Sequence, residues 1–190
     1  MSSTIRPAVR ADIAALFDIR TSVRQNHLSI EQLASLGITP ETIAETIAAA
    51  PCAWIAEQDG QPAGFAMADL DAGEVFALFI KPEFEGLGLG RQLLRQAETA
   101  LFQRHLVIRL TTDGDEAIRA NGFYQRQGWR QAGLAEGGDA VYEKRRGGVP
   151  DTRAPERLEA RRLQVKRERF FFKRISISQY ATTAAPAFIL

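Results

Sequence analysis

Residues 74–101 constrain the fold more than any other part of the chain. Glu74-Val75-Phe76-Ala77-Leu78-Phe79-Ile80 is apolar without a break after its first residue, as expected of a strand covered on both faces. Glu85-Gly86-Leu87-Gly88-Leu89-Gly90 then sets glycines at alternate positions. Beyond them Leu93, Leu94, Ala97, Ala100 and Leu101 fall at helical spacing, so a helix starts where the glycines stop. Strand, glycine loop and helix form an anion-binding arrangement. The first N–H groups of a helix lack intrahelical acceptors and lie at the positive end of its dipole, and glycine removes the Cβ that would hold a phosphate away.

Spacing separates the nucleotide-type readings. A P-loop requires Lys and then Ser or Thr after its last glycine, but Arg91-Gln92 stand there. A dinucleotide fold requires G-x-G-x-x-G, and Arg91 occupies the place of the third glycine. The acid expected about 20 residues further on is also missing, since Ile108, Arg109 and Leu110 lie there. A third reading fits better. Ile80-Lys81-Pro82-Glu83-Phe84 followed by Glu85 to Gly90 resembles the GNAT superfamily of N-acetyltransferases, whose signature is Gln/Arg-x-x-Gly-x-Gly/Ala after a strand ending in a proline-containing turn. Glu85 departs from that signature. A carboxylate near a pyrophosphate is unfavourable unless it points to solvent, so the resemblance gives the anion to the backbone here. A glycine elbow that merely joins strand to helix is the alternative.

The order of elements is a second point of resemblance. Ile5 to Val9 reads as a short strand that its proline limits to an edge, and Asp12 as the N-cap of a helix carrying Ile13, Leu16, Phe17 and Val23. Ser29-Ile30-Glu31-Gln32 has the spacing of a capping box, Gly37 suits the end of that helix, and Thr39-Pro40 opens another that runs to about residue 50. Residues 52–58 and 62–70 are expected to form two strands joined by an Asp59-Gly60 hairpin turn. Residues 106–112 form a strand reached by a crossover and so parallel to 74–80, and a helix over about 116–126 and strands near 129–134 and 139–145 follow. Over residues 5–146 this succession is similar to the GNAT pattern. The resemblance implies a mixed α/β fold, a mostly antiparallel sheet with helices on both faces, in which two splayed parallel strands, 74–80 and 106–112, seat a pantetheine arm. Arg119-Ala120-Asn121-Gly122-Phe123-Tyr124 and Gly128-Trp129 resemble the family's closing signature. The asparagine common in that signature is Ala117 here, and Asn121 is out of register with it.

The site residues follow from the resemblance. Backbone groups of Gly86, Leu87, Gly88, Leu89, Gly90 and Arg91 are expected to hold the pyrophosphate of acetyl-CoA, and those of Leu78, Phe79 and Ile80 its carbonyls. Unpaired N–H groups on that strand would also stabilise developing oxyanion charge. Tyr124 is the expected acid for the departing thiolate, because a phenol with an ordinary pKa near ~10 is protonated at neutral pH. Its other reading is an amphipathic-helix residue with its hydroxyl in solvent. Glu74 is the candidate acceptor of the amine proton, directly or through water, against a solvated carboxylate at a strand start. Asp69 and Asp71 are weaker candidates of the same kind, and an amine of low pKa needs no dedicated base. Asn26 and His27 would line the acceptor side.

Other chemistries lack their residues. Two isolated histidines, His27 and His105, and one cysteine make no metal-ligand constellation, and no Gly-x-Ser-x-Gly elbow occurs. Cys52, beside Ala53, Trp54 and Ile55, reads as a small buried hydrophobe. Without a visible signal peptide or spanning segment, the expected compartment is the cytoplasm. Residues 1–146 carry 15 Lys/Arg against 19 Asp/Glu, which argues against a nucleic-acid surface, whereas residues 147–190 carry 9 against 4. The expected organisation is an acetyltransferase domain over 1–146 and a basic C-terminal extension over 147–190, flexible or partly helical.

The activity this implies is transfer of an acetyl group from acetyl-CoA to a primary amine, of a small molecule or of a protein. A non-catalytic acyl-CoA sensor and a domain whose glycine loop binds nothing are the rivals. The expected partner is a small-molecule amine, with a homodimer left open and neither nucleic acid nor membrane expected.

Overall fold

The computed structural model describes residues 2–24, 27–114, 119–135 and 137–147. The strands are β1 (Ser3–Pro7), β2 (Ala53–Gln58), β3 (Gln61–Asp69), β4 (Glu74–Ile80), β5 (Val107–Thr112), β6 (Arg130–Leu134) and β7 (Ala140–Arg145). They form one seven-stranded sheet in the order β1-β2-β3-β4-β5-β7-β6. Every neighbouring pair is antiparallel except β4 with β5. The helices are α1 (Ile13–Ser22), α2 (Ile30–Ser35), α3 (Pro40–Ala49), α4 (Leu89–Arg104) and α5 (Arg119–Arg126). This is the mixed, mostly antiparallel α/β fold expected above, with β7 inserted between β5 and β6.

Two buried clusters cover the two faces of the sheet, and β4 feeds both. Val75, Leu78 and Ile80 pack with Leu89, Leu93, Leu94, Ala97 and Leu101 of α4 and with Ala120 and Tyr124 of α5. Ala77 and Phe79 pack with Ile13, Leu16 and Ile19 of α1 and with Ile43 of α3. Side chains along a strand alternate between faces, so a strand covered on both must be apolar throughout. The α4 stripe recurs every three or four residues because only one side of that helix meets the sheet.

Local signals account for most of the turns. Asp59 and Gly60 take φ of 49° and 80°, the left-handed pair that lets a two-residue hairpin follow the strand twist. Ser29 Oγ accepts from Gln32 N at 3.2 Å and Gln32 Oε1 accepts from Ser29 N at 2.8 Å, closing the capping box. Cys52 is buried, and desolvation pushes its thiol up to about 11. One reading changes. Asp12 stands at the N-cap position of α1 as expected, but its side chain makes no capping bond; it ends a 3-10 turn, Arg10–Asp12, and its carboxylate accepts the Val9 N–H at 2.8 Å. The cause is Arg6, whose guanidinium donates two bonds of 2.7 and 2.8 Å to Asp12 and also pairs with Glu57, tying β1, β2 and the turn together.

That bond holds the Asp12 carboxyl below its ordinary value of 3.8, Arg6 being the main cause. A depressed folded-state pKa contributes stability above the unfolded value and loses it as pH falls through the folded one. Asp12→Asn is therefore expected to cost about 1.5–3 kcal/mol at pH 7, the scale of a hydrogen bond to a charged group. The gap from the parent should narrow below about pH 4, which thermal unfolding at the two pH values will measure.

Among the described residues no helix is long and apolar enough to cross a membrane. The expected helix start at 116–118 and the extension over 148–190 lie outside them.

Candidate active site

The candidate site lies where β4 and β5 part. Their parallel pairing comprises Glu74 with Arg109 and Val75 with Leu110, and it stops there. The next residue, Phe76, is extra in the β3–β4 ladder, because Met67 pairs with Ala77 and Ala68 with Val75. Such a bulge bends its strand, and this one falls where β4 leaves β5. Meanwhile β5 stays in full register with β7 on its other edge, from Val107–Arg145 to Thr112–Ala140. The result is a gap walled by β4 beyond Val75 and by β5 beyond Leu110.

The parity of the β3–β4 ladder decides which backbone groups face the gap. Lys81 N donates to Ala63 O at 2.8 Å, which makes this a hydrogen-bonded pair. Such pairs alternate along an antiparallel ladder, so Phe79 turns its N–H toward Phe65 of β3. Leu78 and Ile80 therefore present theirs to the edge that β5 has left. Of the three residues whose backbone was expected to meet the thioester arm, two face the gap. Phe79 contributes a ring on the α1 side instead.

The glycine loop leads from the end of β4 to α4. Gly86 and Gly88 have φ of 79° and 80°, a conformation costly for other residues, and a Cβ built on either meets no atom within 4 Å. Gly90 differs. It lies in the first turn of α4 without a positive φ, and its Cβ would touch Ile80 Cγ1 at 3.7 Å and Phe123 Cζ at 3.8 Å, so it serves close packing. The first helical bond runs from Gln92 N to Gly88 O, leaving the N–H groups of Leu89, Gly90 and Arg91 without intrahelical acceptors. Glu85, Leu87 and Arg91 are exposed at this end.

Tyr124 stands in the cluster that holds Leu78 and Ile80 of one wall and Leu110 of the other. It is 0% exposed, and its hydroxyl has no hydrogen-bond partner. Its ring is boxed by Phe123, Trp129 and Tyr142, with centroids at 5.1, 6.3 and 6.0 Å. Burial holds the phenol well above its ordinary pKa, so it remains a proton donor at any physiological pH. This excludes the solvated amphipathic-helix reading. A buried hydroxyl without an acceptor, an open glycine cradle and an unpaired strand edge fit a phosphate-bearing thioester laid between β4 and β5.

The other candidates are placed less centrally. Glu74 is at the closed end of the gap, with Thr111 Oγ1 donating to its Oε1 at 3.5 Å. Asp69 caps a turn, accepting from the N–H groups of Asp71 and Ala72 at 3.0 and 2.9 Å, and Asp71 pairs with Arg104 on the surface. His27 is exposed, while the His105 ring bonds Leu70 O at 2.8 Å. Asn121 is buried and donates to Asp113 O at 3.1 Å, and Asn26 lies outside the described residues. No three His, Cys, Asp or Glu side chains gather among the described residues.

Two features carried no signal in the sequence. Arg20 on α1 is 5% exposed, its guanidinium lies 4.6 Å from the centroid of Phe79, and burial draws its pKa down to about 10. Glu98 on α4 accepts the Trp129 indole N–H at 2.8 Å and the Lys144 ammonium at 2.8 and 2.7 Å.

Comparison with known proteins agrees with this geometry. Residues 15–129 match the acetyltransferase (GNAT) family. An uncharacterised N-acetyltransferase of Methanocaldococcus jannaschii is 30% identical over 101 residues, 47% of this chain and 63% of that protein. The peptidyl-lysine N-acetyltransferase YjaB of Salmonella typhimurium is 34% identical over 98 residues, 50% of this chain and 61% of that one. These matches thus span under two thirds of either relative. Among solved structures, the PaiA N-acetyltransferase of Thermoplasma acidophilum in complex with coenzyme A is similar with a TM-score of 0.64 at 22% identity, covering 77% of this chain and 100% of that one. YncA of Salmonella typhimurium, a putative acetyltransferase solved with acetyl-CoA, has a TM-score of 0.61 at 18% identity, covering 80% and 100%. With the parted strands, the glycine turn into α4 and a family match across most of the folded body, this chain belongs to the GNAT acetyltransferase family.

Proposed function

We propose that the chain is an N-acetyltransferase that moves an acetyl group from acetyl-CoA to a primary amine of a small molecule. The observation that carries this reading is the limit of β4–β5 pairing to two residue pairs, directly beside the glycine turn into α4. Acetyl-CoA supplies an acyl group already activated as a thioester. The N–H groups of Leu89, Gly90 and Arg91 hold its phosphates, aided by the positive end of α4. The N–H groups of Leu78 and Ile80 bond its carbonyls and stabilise charge on the acyl oxygen. Tyr124 gives its proton to the departing sulfur, and Glu74 takes the amine proton, through water because it sits at the closed end of the gap.

Direct attack by the amine in a ternary complex is consistent with the state of Cys52. A buried thiol raised to about 11 is not a thiolate at neutral pH, so it is unsuited to carry the acetyl group.

One relative favours a second acceptor class. The peptidyl-lysine activity in the name of the Salmonella protein makes a lysine side chain the alternative amine. A thiol-release assay with acetyl-CoA tests both, run against a panel of small primary amines and a panel of lysine peptides. Release with small amines and not with peptides is expected. Release with peptides alone transfers the reading to protein acetylation. Tight coenzyme A binding by calorimetry, with no thiol release on either panel, leaves a sensor and overturns the enzymatic reading.

A further inference from the structure

We propose that Glu98 is a positioning residue for Tyr124, acting through the indole of Trp129. This rests on the reading of Tyr124 as the acid for the departing sulfur. An acid has to be held to within about 0.5 Å of its productive place. Yet the Tyr124 hydroxyl has no hydrogen-bond partner, so packing alone holds it, and three of the groups packed on it are the rings around its own.

Those rings are not held equally. Phe123 is apolar and half-buried, so nothing but contact fixes it. Tyr142 is steadied by one long bond, 3.5 Å, from Gln125 Nε2 to its hydroxyl. Trp129 is fixed twice. Its backbone N–H donates to Tyr124 O at 3.1 Å, in a turn that Gly128 permits with a φ of 83°. Its indole N–H donates at 2.8 Å to Glu98 Oε1. That carboxylate is held in turn by Lys144 of β7, whose Nζ lies 2.8 and 2.7 Å from its two oxygens.

Burial makes this triad stiffer than a surface ion pair. The side chains of Lys144 and Glu98 are 24% and 12% exposed, and Trp129 is 2% exposed. Charge-assisted bonds in such a setting are short and directional. Because Glu98 belongs to α4, the helix whose first turn forms the glycine cradle, the triad fixes the acid relative to the place where the phosphates bind. A cradle and an acid on separate, loosely coupled helices would drift apart by amounts that matter, since a misplacement of about 1 Å can cost about 100-fold in rate.

A clamp between α4 and β7 with no catalytic consequence predicts different kinetics, and a double-mutant cycle distinguishes the two. Glu98→Leu and Trp129→Phe are each expected to lower kcat about 10-fold, a tenth of the loss for a full 1 Å displacement, with the KM for acetyl-CoA within about twofold of the parent. Glu98→Gln keeps an acceptor for the indole and should restore most of the rate. In a Tyr124→Phe background, Glu98→Leu should cost nothing further, because no acid remains to be placed. Parent kcat in both Glu98→Leu and Trp129→Phe overturns the inference. So does a Glu98→Leu loss of the same size with and without the Tyr124 hydroxyl, which marks a structural clamp. If Glu98→Leu does not fold, Trp129→Phe carries the same cycle against Tyr124→Phe, with Glu98→Gln as the conservative control. Tyr124→Phe at the parent rate overturns the acid reading and this inference with it, whereas a slow Tyr124→Phe beside fast Glu98→Leu and Trp129→Phe variants overturns this inference alone.

Discussion

Gly88→Val is expected to abolish coenzyme A binding while the protein still folds. Gly88 is the N-cap of α4 at φ 80° and ψ 3°, and no atom lies within 4 Å of a Cβ built there. The new side chain therefore projects into the open space before the first turn, where the phosphates are proposed to sit. Losing two charge-assisted bonds at about 1.5–3 kcal/mol each weakens binding by more than about 100-fold. The left-handed backbone is a separate cost, roughly 1–2 kcal/mol, and lowers the melting temperature by several degrees. Two further variants separate these effects. Gly88→Asn tolerates the left-handed conformation and still fills the cradle, so it should weaken binding with a smaller loss of stability. Gly90→Ala adds a Cβ at ordinary contact distance from Ile80 and Phe123, and should bind nearly as the parent does. Titration calorimetry reads all three, and parent affinity in Gly88→Val would remove the cradle from the proposed site.

The cradle was legible in the sequence because everything that makes it is local. The hydrophobic period changes at one place, between Ile80 and Leu93, and the glycines stand in that interval. The parting of β4 from β5 was given only by resemblance. It depends on one extra residue in a ladder, Phe76, and on β7 holding the far edge of β5, and neither fact is encoded near residue 76. The same parity argument explains Phe79. Which N–H groups face the gap is set by the register with β3, whereas the apolar run Val75 to Ile80 is the same for either register. Asp12 stands at the N-cap position that the sequence indicates, but its carboxylate is taken by Arg6 across the turn and by the Val9 N–H and makes no capping bond to α1. Glu98, Trp129 and Lys144 were out of reach because the bonds joining them span 31 and 46 residues.

Tyr124→Phe is expected to lower kcat by about 10²-fold, the lower end of what general acid assistance contributes, because a thiolate leaves fairly well unaided. An acid acts in the transition state and not in the bound ground state, so the affinity for acetyl-CoA should stay near the parent value. The variant should fold as well as the parent or slightly better. It removes a hydroxyl that is fully buried with no hydrogen-bond partner, and deleting such a group relieves a desolvation cost. Rate and stability thus move in different directions, which damage to the core would not produce. The pH profile gives a second, independent check. Burial holds the phenol well above its ordinary value of 10.0, so the acid form persists through the range in which amine acceptors lose their protons. The parent rate should therefore rise with pH as the amine deprotonates and show no falling limb below about pH 10. In Tyr124→Phe the rise should remain, at a lower level throughout. A parent rate in this variant, measured where the chemical step limits turnover, would reduce Tyr124 to packing and assign protonation of the sulfur to water. A collapse of acetyl-CoA affinity would instead make the hydroxyl a binding contact.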